Sequence, residues 1–114
     1  MNITLTVNGR ETGLDVEPSA VLADVLRERC RQTSVHLGCE HGVCGACNVI
    51  VDGQVVRACL TLAGSVDGCS VTTLEGLCDA TADRLRRAFS EHHALQCGFC
   101  TPGMVVSGYD IVRR

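Results

Sequence analysis

The chain has 114 residues, enough for one domain or two very small ones that lean on each other or on a partner, and too few for a large enzyme. A formal net charge of −3 and the lack of any Lys/Arg-rich stripe exclude a nucleic-acid binder. No apolar run approaches the roughly 18 residues that span a bilayer, and residues 1–7 lack the basic and apolar regions of a signal peptide, so a cytoplasmic protein without a membrane span is expected.

Ile3, Leu5 and Val7 alternate with polar residues up to Asn8-Gly9, and Leu14 and Val16 follow, which predicts a β-hairpin turned at Asn-Gly. Pro18 and Ser19 open a segment in which Leu22, Val25, Leu26 and Arg29 or Cys30 recur at helical spacing. A helix over roughly 19–31 is predicted there, with Ser19 as its N-cap. Residues 33–47 carry Gly38, Gly42 and Gly45 with Cys39, Cys44 and Cys47, show neither period, and read as a loop that holds the chemistry. Residues 48–51 and 54–56 flank Asp52-Gly53 as a second hairpin, and residues 71–74 form a further short strand. The class is therefore α+β, with an aliphatic core.

Beyond about residue 76 the character changes. Leu85, Ala88 and Phe89 fall at helical spacing from Ala82 to near His93. Thr101-Pro102 reads as an N-cap followed by proline at the first helical position, and Met104, Val105, Gly108, Tyr109 and Val112 can line one side of a second helix. Two helices alone bury little, so this half is expected to depend on something else.

Nine cysteines, an odd number, in a chain expected to sit in a reducing compartment point to metal ligands rather than a disulfide framework. Cys39, Cys44 and Cys47 give the C-x4-C-x2-C spacing of plant-type [2Fe–2S] sites, and Cys59 supplies a fourth thiolate just after the second hairpin, which returns the chain to the loop it left. Soft thiolates suit iron. Gly38, Gly42 and Gly45 would let the loop wrap closely and aim N–H groups at sulfur. A zinc site would pair C-x2-4-C knuckles instead. A Rieske centre would need a histidine pair that His36 and His41 do not form, and both read as ordinary loop polar residues. Cys30, Cys69 and Cys78 read as buried small side chains.

Residues 38–47, the short gap to Cys59, and residues 95–104 (Leu-Gln-Cys-Gly-Phe-Cys-Thr-Pro-Gly-Met) together resemble the iron–sulfur small subunit of the molybdenum hydroxylases, the family of xanthine dehydrogenase and aerobic carbon monoxide dehydrogenase. The resemblance runs from near residue 2 to the last residue. It implies a β-grasp ferredoxin-like domain over 1–76 and, over 77–114, the first helices of a small four-helix domain with a second [2Fe–2S] cluster. Cys97 and Cys100 match two ligands of that cluster, and Gln96 would lie near the pterin of the molybdenum cofactor. The Cys-x-Cys pair that completes the second cluster in the family has no match in this sequence, so a longer natural subunit is expected. The implied role is electron relay from a molybdopterin-binding large subunit to an FAD-binding medium subunit, with no bond chemistry in this chain. A stand-alone ferredoxin carrier is the alternative, though such carriers are often more acidic. A dithiol oxidoreductase using Cys97 and Cys100 lacks the βαβ context that chemistry needs.

Overall fold

Alternation builds the first strand: in β1 (Asn2–Val7) the side chains of Ile3, Leu5 and Val7 enter the core. Asn8 and Gly9 take φ of 51° and 85°, the pair of left-handed residues that a tight hairpin requires, and turn the chain into β2 (Arg10–Asp15). In the computed structural model, residues 1–38, 45–91 and 99–113 are described.

Asn8 also pins the turn to the rest of the fold. Its amide donates to Gln32 Oε1 at 2.8 Å and Thr73 Oγ1 at 2.9 Å, while its Oδ1 accepts the N–H of fully buried Thr73 at 2.9 Å. Asn8→Ala strands that N–H and is expected to cost about 1–3 kcal/mol. Thermal denaturation should show a lower Tm for Asn8→Ala than for Asn8→Asp, which keeps the acceptor. Equal Tm values would show that the buried N–H does not need it.

β3 (Asn48–Val51) and β4 (Gln54–Arg57) form the second hairpin around Asp52 and Gly53, and β5 (Ser70–Thr72) joins the two hairpins. The sheet order is β2-β1-β5-β3-β4, with β1 parallel to β5 and every other pair antiparallel. This is the ferredoxin-like α+β arrangement expected from the sequence. Helix α1 differs from expectation. It is α-helical only over Leu22–Asp24 and widens to a π-helix over Val25–Arg29, and its N-cap is Val21, without a side-chain cap, rather than Ser19. The reason is tertiary: Val21 bridges Leu62, and the Leu22 N–H donates to Thr61 O at 2.6 Å, which satisfies the helix start without a capping side chain.

The central strand β3 is buried on both faces. Val49 belongs to the main core with Leu5, Leu22, Leu26 and Val71. Ile50 faces a second cluster with Leu77, Ala82 and Val106, backed by Val55, Leu74 and Tyr109. Apart from Val55 of β4, those residues come from the chain after β5 and from two helices, α2 (Ala80–Glu91) and α3 (Thr101–Arg113), which cover the sheet's other side. The helical half thus depends on the back of the sheet. Cys100, not Thr101, caps α3: its carbonyl accepts the Met104 N–H at 3.0 Å, so Pro102 falls one position later in the first turn than expected.

Asp79 N-caps α2, accepting the Ala82 N–H at 2.9 Å, and its other carboxylate oxygen accepts the Tyr109 hydroxyl of α3 at 2.6 Å. The Tyr109 hydroxyl first, and the Ala82 N–H second, hold the Asp79 carboxyl below its ordinary value. A depressed carboxyl adds stability above its unfolded-state pKa and loses it as pH falls through the folded one, so the α2–α3 contact should weaken below about pH 4. Tyr109→Phe is expected to flatten the acid limb of Tm plotted against pH. An unchanged acid limb would show that Asp79 does not couple the two helices.

Candidate iron–sulfur site

The β3–β4 hairpin brings two predicted ligands together. Cys47 immediately precedes β3 and Cys59 lies in the 3-10 turn Ala58–Leu60 after β4, while the register Asn48↔Arg57 closes the open end of the hairpin. The Cys59 N–H points at Cys47 Sγ, 3.4 Å away, and the Ala58 N–H donates to Cys47 O at 3.4 Å. Both side chains are buried in the main core. An N–H aimed at a buried sulfur stabilises thiolate charge, so these residues fit a thiolate-held iron cluster. Cys39, Cys44, Gly42 and His41 lie outside the described residues, and Gly38, just before them, is exposed.

Gly45 has φ +78°, and a Cβ there would stand 2.7 Å from the Met104 methyl and 2.8 Å from Arg57 Nη1. From the other side α3 presses its own glycine onto the loop. A Cβ on Gly103 would collide with Gly45 O and lie 3.0 Å from the Ala46 Cα and carbonyl carbon. Two facing glycines therefore allow the helix backbone to rest on the cysteine loop. Polar contacts extend the seam: Arg57 Nη1 donates to Asn48 Oδ1, and Asn48 Nδ2 donates to Ser107 Oγ of α3.

His36 is not the ordinary loop residue expected from the sequence. Its ring stacks on Phe99 with centroids 4.6 Å apart and planes 25° apart, and Nδ1 meets the Phe99 carbonyl oxygen. Phe99 lies between Cys97 and Cys100, and His36 precedes Gly38-Cys39, so this clasp joins the two cysteine loops. The signal available was the lone aromatic in Cys-Gly-Phe-Cys, in a chain with only two Phe and one Tyr. Cys100 is exposed, while Cys97 and Gln96 lie outside the described residues.

The other cysteines stand apart. Burial pushes the half-buried Cys30 thiol up in pKa, and a hydrogen bond to Asp52 raises that of Cys69, so both favour the neutral thiol over a ligand thiolate. Cys78 is exposed rather than buried, because it sits in the connection just before α2, with its Sγ 3.8 Å from Glu75 O. No helix among the described residues is long and apolar enough to cross a membrane.

The sequence matches the family described as "2Fe-2S iron-sulfur cluster binding domain" over residues 5–74 and the "[2Fe-2S] binding domain" over residues 73–114. It is similar to the nicotine 6-hydroxylase small subunit of Paenarthrobacter nicotinovorans, at 48% identity over 112 residues, covering 98% of this chain and 68% of that protein. Caffeine dehydrogenase subunit gamma of Pseudomonas sp. strain CBB1 is 49% identical over 106 residues, covering 92% of this chain and 64% of that one. The fold matches quinoline 2-oxidoreductase from Pseudomonas putida 86 with a TM-score of 0.89 and 47% identity, covering 98% of this chain and 70% of that chain. The chain thus spans about two thirds of the length of these relatives.

Proposed function

The chain belongs to the [2Fe–2S] small-subunit family of the molybdenum hydroxylases, and from that premise we propose that it is the electron-transfer subunit of such an enzyme, relaying electrons from a molybdopterin-binding large subunit to an FAD-binding medium subunit. In this reading residues 1–76 form the ferredoxin-like domain, with Cys39, Cys44, Cys47 and Cys59 as ligands of one [2Fe–2S] cluster. Residues 77–114 form a helical domain in which Cys97 and Cys100 supply ligands to a second. Gln96 faces the pterin of the large subunit, and the assembly works in the cytoplasm, where thiols are kept reduced.

The observation that carries the reading is the meeting of buried Cys47 and Cys59 at the end of one hairpin, with a backbone N–H on the sulfur. When bound, a [2Fe–2S] group supplies one-electron chemistry, which lets a two-electron hydroxylation feed a flavin in single steps. The protein's part is to hold and insulate. The Cys47 and Cys59 side chains keep water from the sulfurs through their own burial, and the Cys59 N–H offsets thiolate charge. Gly45 and Gly103 let the start of α3 rest directly on the backbone of Gly45 and Ala46, just before Cys47.

Size-exclusion chromatography of the protein from its native source, with iron, molybdenum and flavin measured across the peak, tests this role. Co-elution of all three with two larger chains is expected. A lone chain carrying iron but neither molybdenum nor flavin would show a diffusing ferredoxin instead.

A further inference from the structure

Asn-Gly is the dipeptide most prone to spontaneous deamidation, because glycine carries no side chain to shield its backbone nitrogen. Here Asn8-Gly9 forms the turn between β1 and β2, at φ of 51° and 85°. The reaction needs the Gly9 nitrogen to reach Asn8 Cγ, so the side-chain amide must swing free. In this fold both polar atoms of that amide are engaged. Nδ2 donates to Gln32 Oε1 at 2.8 Å and to Thr73 Oγ1 at 2.9 Å, and Oδ1 accepts the Thr73 N–H at 2.9 Å. Backbone closes a further side: a Cβ on Gly76 would collide with Oδ1 and stand 2.6 Å from Cγ, the carbon that would be attacked. The Asn8 N–H is tied as well, to Val71 O at 2.9 Å.

We propose that Asn8-Gly9 is a latent self-modification site, held unreactive by Gln32, Thr73 and Gly76, and that opening of this joint lets Asn8 convert irreversibly to aspartate or isoaspartate. The Gly9 nitrogen bonds to Asn8 Cγ as the Cγ–Nδ2 bond breaks, and the Gly9 proton leaves with the amide nitrogen as ammonia. Water then opens one of the two imide C–N bonds of the resulting succinimide ring. One water enters for each ammonia lost, and no oxidant or reductant is required. The product cannot restore the joint in full. Its carboxylate has no proton to donate to Gln32 Oε1, and it must share the Thr73 hydroxyl with Glu75, whose Oε1 already lies 2.8 Å from Thr73 Oγ1. The modification therefore records that the joint has opened. That joint ties the first hairpin to residue 32, ahead of the cysteine loop, and to residues 73–76, where the chain leaves the sheet for the helices.

Peptide mapping by mass spectrometry of the purified protein, aged at mildly alkaline pH, tests this. Wild-type protein kept folded should retain Asn8, while the same protein held unfolded in urea should deamidate there many-fold faster. Equal rates would overturn the proposal. Thr73→Val removes Oγ1 but keeps the shape and the N–H, and Gln32→Leu removes the other acceptor. Each variant is expected to speed deamidation at residue 8 of the folded protein several-fold, and no acceleration in either would overturn the proposal too. Isoaspartate at Asp52-Gly53, where Asp52 Oδ1 is held by the Ser70 N–H at 2.8 Å and not by this joint, reports unfolding of the whole chain and should stay at its wild-type level. Should both variants unfold, wild-type protein at urea below its transition decides. Deamidation at residue 8 must then rise before isoaspartate at residue 52, each scaled to its rate in the unfolded chain, and a simultaneous rise overturns the proposal.

Discussion

Gly103→Ala and Gly108→Ala, the same change on one helix, are expected to move stability in opposite directions. In a helix interior alanine is favoured over glycine by about 1 kcal/mol. At Gly108 nothing opposes that preference, since a Cβ would meet Leu85 Cδ2 at 3.6 Å and Phe89 Cε1 at 4.0 Å, ordinary contact distances. Gly108→Ala should therefore raise stability by roughly 0.5–1 kcal/mol. At Gly103 the new methyl would overlap Gly45 O and crowd Ala46, and these are backbone atoms with no rotamer to yield. Overpacking of this kind costs about 1–3 kcal/mol or more, which outweighs the helix preference. Relief requires α3 to lift from the cysteine loop. Thermal denaturation should show a lower Tm for Gly103→Ala and a higher one for Gly108→Ala. A Gly103→Ala variant as stable as wild type would mean that α3 does not rest on the loop.

Cys47→Ser is expected to abolish the visible absorbance and the reduced-state paramagnetic signal of one [2Fe–2S] cluster, and Cys44→Ser should do the same. Serine oxygen is a harder and poorer ligand for iron than a thiolate. At Cys47 the replacement also buries a hydroxyl among core side chains, at a cost of about 1–3 kcal/mol where it finds no partner. Cys30→Ser and Cys69→Ser provide the controls. Both positions are only partly buried and carry neutral thiols, so the cluster signal should persist in each variant. Loss of signal in Cys30→Ser with retention in Cys47→Ser would invert the ligand assignment.

Both hairpins were legible in the sequence because Asn-Gly and Asp-Gly carry their own backbone instruction: Asn8, Gly9, Asp52 and Gly53 all sit at positive φ. The approach of Cys47 to Cys59 followed from the same signal, since a hairpin must return to where it began. Helix α1 was legible only in its apolar residues. Its start is set by pairing with residues 61 and 62, far along the chain, and its π widening leaves no mark on the apolar spacing. The seam between loop and helices was hidden for a related reason. His36 meets Phe99 across 63 positions, and Asn48 meets Ser107 across 59, separations at which no local pattern speaks. Gly103 carried no local signal of its own, and only the approach of Gly45 shows why a side chain would be excluded there.

Iron and acid-labile sulfide analysis of the purified protein, with a paramagnetic resonance spectrum of its reduced form, tests the electron-transfer assignment most directly. Iron and sulfide in equal amounts, together with a reduced-state signal that Cys47→Ser removes, are the result predicted for a [2Fe–2S] cluster held by Cys39, Cys44, Cys47 and Cys59. Zinc in place of iron, iron without sulfide, or a signal unchanged in Cys47→Ser would contradict it.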